Sequence, residues 1–157
     1  MVAPTVSRKD DQEDLSPRCF VSFSIVDSPL DFNAISEALN QKSATTRKAG
    51  SRISQALEPL QEDAWTISSP LDPLKPLEEH LRWLHEQLES HVDYLAGLAR
   101  TGLLRVYIGF TLSLEQCNFR ISPEFVRFFA SFNALFDVYI ISIVGDDSET
   151  PQLRPIG

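Results

Sequence analysis

Apolar and polar residues alternate most regularly where Leu104, Val106, Ile108, Phe110 and Leu112 are separated by Arg105, Tyr107, Gly109 and Thr111, which predicts a long strand with one buried face. Cys19, Val21, Phe23 and Ile25 alternate in the same way with Phe20, Ser22 and Ser24, and Trp65 and Ile67 with Thr66 and Ser68. Between the second and third of these strands in chain order the period lengthens to 3.6. Leu77, Leu81, Leu84, Leu88, Val92 and Leu95 fall on one stripe, and the spacing predicts a single helix over 76–99 packed on the sheet. Its solvated face carries Glu78, Glu79, Arg82, Glu86, Glu89 and Asp93.

Shorter signals place the remaining elements. Ser28-Pro29, with Asp31 following, reads as an N-cap and a first-turn proline opening a helix that runs to about Asn40 and turns Leu30, Ile35, Ala38 and Leu39 inward. Residues 43–46 suit a short strand before a turn at Gly50. Prolines 70, 73 and 76 form a stiff connector to the long helix, and Gly102 is placed to cap its C-terminus. Ser122-Pro123-Glu124 opens a further helix whose Phe125, Phe128, Phe129 and Phe132 read as core rather than a ligand cage, with Asn133 as its left-handed terminator. The last strand, 136–144, is apolar on both sides and is expected to be central or covered. Strand, helix, strand, strand, helix, strand is the βαββαβ order of a ferredoxin-like unit, here with an added helix and strand. The expected fold is therefore α+β: a two-layer sandwich, a mixed β-sheet with helices on one face. Its open face would show Ser22, Ser24, Thr66, Ser68, Arg105, Tyr107 and Thr111.

The succession Ser22-Phe23-Ser24-Ile25, Ile35-Ser36-Glu37-Ala38-Leu39, Arg47-Lys48-Ala49-Gly50, Ala64-Trp65-Thr66-Ile67-Ser68, the amphipathic run from Leu77 to Leu88 and Ile121-Ser122-Pro123 resembles the bacterial domain of unknown function 4279 family. The likeness covers most of 19–144, through short structural motifs. It implies a small bacterial α+β domain and carries over no catalytic residue.

Composition narrows the class of function. At 157 residues the chain suits one domain, with a flexible lead over 1–18, a folded domain over 19–145 and a flexible acidic tail over 146–157. A formal charge of −8 argues against a protein built to grip nucleic acid, because that affinity comes largely from Lys and Arg. Neither a signal peptide nor a membrane span is expected, which places the chain in the cytoplasm. Cys19 and Cys117 lack CxxC spacing and read as reduced, partly buried thiols.

Chemistry-bearing patterns are few. The three histidines, His80, His85 and His91, are not spaced as metal ligands on a helix: the first two diverge, and His80 and His91 lie about 16 Å apart along a straight helix. Nucleophile-elbow, Walker A and dinucleotide fingerprints are absent. The chain reads as a non-enzymatic binding protein with no cofactor, metal or catalytic residue assigned. Its expected contact surface is the shoulder of the long helix, His80, Trp83, Gln87, His91 and Tyr94 with Glu79 and Glu86, where aromatic anchors ringed by charge would meet a protein partner. By analogy with small acidic immunity proteins, that partner would be a basic toxin domain. The alternative is a small-molecule or anion-binding pocket, in a binding domain or an enzyme, formed by Arg47, Lys48 and Arg52 with Arg105 and Tyr107. Self-association through the open sheet face is a third reading.

Overall fold

The computed structural model describes residues 17–52, 54–55, 58–112 and 118–142. The flexible ends expected at 1–18 and 146–157 lie, apart from Pro17 and Arg18, outside the described residues, as does Cys117. The elements follow in the order β1 (Arg18–Asp27), α1 (Phe32–Ala38), β2 (Thr45–Arg47), β3 (Asp63–Ser68), α2 (Leu77–Leu88), a 3₁₀ turn (Glu89–His91), α3 (Val92–Leu98), β4 (Leu103–Leu112), α4 (Pro123–Ala130) and β5 (Leu135–Ser142). They form one five-stranded sheet in the order β2-β3-β1-β4-β5. β1 runs antiparallel to both β3 and β4, β2 is antiparallel to β3, and β5 is parallel to β4. The first four strands thus realise the ferredoxin-like arrangement, and α4 with β5 extends the sheet by one parallel strand, making it mixed.

Alternation decides which face is covered. Cys19, Val21, Phe23 and Ile25 of β1, Trp65 and Ile67 of β3 and the five apolar residues of β4 from Leu104 to Leu112 are all buried under the helices. From the helix layer come Ile35 and Leu39, the stripe Leu77, Leu81, Leu84, Leu88 and Leu95, and Phe125, Phe129 and Phe132. Trp65 is fully enclosed, and its indole Nε1 donates to Ser36 Oγ of α1 at 2.9 Å, tying the first helix to the sheet. The phenylalanines pack edge to face, as their ring quadrupoles favour, with Phe129 5.6 Å from Phe136 and Phe132 6.1 Å from Phe23.

Four expectations are corrected. The long helix is two helices joined by the 3₁₀ turn, with φ near −111° at Leu88 and −124° at His91. The leucine stripe keeps its phase across the joint, leaving both Leu88 and Leu95 fully buried, so periodicity gives no sign of it. Secondly, α1 is capped by Asp31, whose Oδ1 accepts from Ala34 N–H at 3.0 Å, while Ser28-Pro29 forms a cis peptide ahead of it. Ala38, expected to face inward, is exposed to solvent.

Gly102 ends the helical stretch without left-handed backbone. It follows α3 with its N–H on Leu98 carbonyl oxygen at 2.9 Å, and the glycine is required by a close approach to β1. Asn133, by contrast, does end α4 region in the left-handed conformation, φ 56°.

Lastly, the closing strand is neither central nor covered. β5 lies at the edge of the sheet, and Val138, Tyr139, Ile140 and Ile141 are all exposed. On the helix side, lengths leave Val138 and Ile140 uncovered, since eight residues of α4 span about 12 Å and eight of β5 about 26 Å, while Tyr139 and Ile141 belong to the open face. Phe136 at the near end packs under Phe129, and the helix runs out beyond it.

Candidate functional site

The uncovered face of the sheet is a grid that strand register fixes. One row across it reads Thr45, Thr66, Ser24, Arg105 and Leu135, and the next reads Ser68, Ser22, Tyr107 and Asp137. Further along come Phe20, Gly109 and Tyr139. The β3 side is thus floored by hydroxyls, and the β5 side is aromatic. Ser24 and Thr66 share a hydrogen bond at 2.8 Å.

Two side chains of β4 lean the same way along β5. Arg105 lies directly opposite Leu135, yet its Nε sits 2.7 Å from Asp137 Oδ2, one step further along the strand. The contact is an ion pair that is not aligned as a hydrogen bond. Tyr107 lies opposite Asp137 and stacks on Tyr139, with ring centroids 4.7 Å apart and an 18° tilt. Gly109 leaves that space open: a Cβ there would meet the Tyr107 ring at 3.5 Å.

Above the hydroxyl floor lies an open groove of about 750 Å³. Arg47 and Arg105 line it, with Tyr107, and Leu60, Gln61 and Glu62 contribute from the connection into β3. Arg47 and Arg105 are 58 positions apart in the sequence, and the sheet order brings them to one groove. Lys48 and Arg52 do not line it. They border a separate recess of about 390 Å³ with Thr46, Arg47 and Ser51.

Asp63 helps to position Arg47. Its carboxylate accepts from Ala49 N–H at 2.8 Å and Leu30 N–H at 3.0 Å, fixing the chain just after β2 and just before α1. These two backbone donors hold its carboxyl below the usual range, and nearby Lys48 adds to the effect.

The shoulder of α2 is largely interior. His80 is only 1% exposed and shares a hydrogen bond between Nδ1 and Ser69 Oγ at 2.8 Å, so it is not available to a partner. Gln87 Oε1 accepts from Gln41 Nε2 at 2.9 Å. Trp83 and Tyr94 are half-buried against the core, and His91, in the 3₁₀ turn, is half-buried too. Burial, with the Asp31 carboxylate nearby, raises the Tyr94 hydroxyl above its ordinary value. Of the seven residues, Glu86 alone is exposed, and Glu79 is engaged with Lys75 at 3.1 Å.

His80 gives the fold a dependence on pH. Desolvation lowers its pKa below the ordinary 6.5, outweighing the nearby backbone carbonyls of Lys75 and Asp72. The folded protein therefore holds it neutral, while the unfolded chain takes up a proton near pH 6.5. Its contribution to stability is present above about pH 6.5 and is lost as pH falls towards the lower, folded-state value. Melting temperature should fall with acidification through that window, and His80→Gln should flatten this part of the profile. An unchanged profile in the variant would reject the assignment.

Among the described residues no cluster of three or more His, Cys, Asp or Glu side chains could hold a metal ion. No described helix is long and apolar enough to cross a membrane. Cys19 is buried.

Sequence alternation places Ser22, Ser24, Thr66, Arg105 and Tyr107 on the open face, but not the groove wall at 60–62 or the Arg105–Asp137 pair. One signal was available: Asp137 is the lone charge in the apolar run from Leu135 to Ser142. A family model described as a domain of unknown function, DUF4279, matches residues 17–142. No curated protein and no solved structure matches the chain.

Proposed function

The chain belongs to the DUF4279 family, and from that premise we propose that it is a non-enzymatic binding domain whose ligand surface is the open face of the sheet. The ligand class is a small polar molecule carrying an anionic group, a carboxylate or a phosphate. One observation carries this reading: Arg47 and Arg105, on different strands, border a single groove floored by the hydroxyls of Ser22, Ser24 and Thr66. A guanidinium presents paired donors to an oxyanion, and the hydroxyls can donate or accept along the body of the ligand. In a chain of net charge −8, two arginines against the single carboxylate of Glu62 make the groove a local exception to the surface field. Asp137 holds Arg105 in place and offsets part of its charge, so Arg47 is the better site to test.

The test is thermal denaturation with citrate, succinate and inorganic phosphate in turn. A ligand at a hundred times its Kd stabilises the folded state by about 2.7 kcal/mol, a rise of several degrees. Arg47→Gln, an exposed substitution, should remove the rise while leaving the unliganded melting temperature unchanged. A stabilisation that survives Arg47→Gln, or none with any of the three, sinks the reading.

Recognition of a protein partner, including neutralisation of a basic toxin, is less well supported. Its aromatic anchors Trp83 and Tyr94 are half-buried and His80 is enclosed, leaving mainly acidic side chains such as Glu78 and Glu86 on that surface.

A further inference from the structure

The two edges of the sheet are built differently. β2, at one edge, has three residues, Thr45, Thr46 and Arg47, all exposed and polar, which is how a sheet avoids joining another sheet. β5, at the other, is eight residues long with no Lys, Arg or Pro. Its one charge, Asp137, is turned to Arg105 within the chain. Apolar side chains stand exposed on both of its faces: Val138 and Ile140 on the helix side, Tyr139 and Ile141 on the open side. Ile140 is 54% and Ile141 60% exposed.

We propose that β5 pairs with β5 of a second copy of this chain, antiparallel about a two-fold axis, joining two five-stranded sheets into one. The argument for a second copy is self-complementarity. Under that symmetry residues of equal parity meet, so Val138 and Ile140 pack against their counterparts on one face, and Tyr139 and Ile141 on the other. A two-fold centred on Tyr139 or Ile140 never sets the two Asp137 carboxylates opposite each other. In molecules that each carry −8, this neutral strand is a surface on which two copies can approach without like charges meeting at the contact. An eight-residue strand contact is small beside the roughly 1,200–2,000 Å² of a standard interface, so the dimer should be reversible and concentration-dependent.

Size-exclusion chromatography with light scattering, run on the full chain across a wide range of concentration, provides the test. The mass should rise from 17.7 kDa towards twice that value. Ile140→Lys and Ile141→Lys, on opposite faces of the strand, should each abolish the rise with circular dichroism unchanged. Each lysine brings the net charge from −8 to −7, so the overall repulsion between copies does not rise and dissociation would trace to the strand contact itself. Thr46→Lys on the β2 edge should leave the dimer intact. A monomer at every concentration would overturn the proposal and point to residues 143–157 of the same chain, or another protein, at this edge. A dimer that survives both isoleucine variants, or one that Thr46→Lys breaks, would overturn it equally.

Discussion

Trp65→Ala should lower the stability of the domain by about 3–5 kcal/mol, the cost of removing a large aromatic side chain from a core that relaxes only in part. Trp65 has no exposed surface, pairs with Ile25 in β1 and Thr46 in β2, and donates to Ser36 in α1. Its loss therefore opens a cavity where three elements meet and leaves a hydroxyl without its donor. At about 3 °C per kcal/mol, the melting temperature should drop by about 10 °C or more. Urea unfolding followed by circular dichroism measures the effect without relying on the removed fluorophore. Trp65→Phe separates the contributions: it keeps most of the volume and loses the hydrogen bond, which is worth about 1 kcal/mol. A loss below about 1 kcal/mol for Trp65→Ala would contradict the enclosure of this side chain.

The smallest change with a large expected effect is Gly102→Ala. A Cβ at this position would lie 2.9 Å from the carbonyl oxygen of Val26 and 3.1 Å from Asp27 Cβ. Both belong to β1, where Val26 pairs with Leu103, so the obstacle is the paired backbone itself. Asp27 is held further by Thr101 Oγ1, which donates to its Oδ2 at 2.9 Å. Overpacking of this kind costs about 1–3 kcal/mol, and melting temperature reads it directly. Gly97→Ala is the matched control: within α3, with nothing within 4 Å of its Cβ, it should stabilise by about 0.4–1 kcal/mol through the entropy of the unfolded chain. Equal effects at the two glycines would show that the close approach to β1 is not what requires Gly102.

Which of these features the sequence reveals depends on whether a local pattern records them. β1, β3 and β4 each alternate in phase with their burial, and the helix order narrows the topology to one split βαβ unit with an extension. The apolar strand β5 was legible as a strand but not as an uncovered edge, because composition records neither its place in the sheet order nor how far a short α4 reaches across it. His80 and Trp83 sit on the margin of an amphipathic stripe, where periodicity alone cannot say whether another segment covers them. The segment over His80 is the proline connector, pinned to the sheet by Cys19 N–H on Pro73 carbonyl oxygen at 2.7 Å and to the histidine by Ser69. The groove depends on pairing across the sheet. Arg47 and Arg105 become neighbours of one space only after β3 and β1 are inserted between their strands.

The slanted contacts of β4 with β5 also settle an alignment that the chain's connectivity leaves free. β4 and β5 are parallel, so no tight hairpin sets their offset, and the long link through α4 tolerates slippage. A shift by one residue would turn Asp137 and Tyr139 to the helix side. A one-residue slip in either direction would take both the carboxylate from the guanidinium and the ring from the tyrosine. The pair of diagonals acts as a two-tooth key, one ionic and one aromatic, that sets β5 in place.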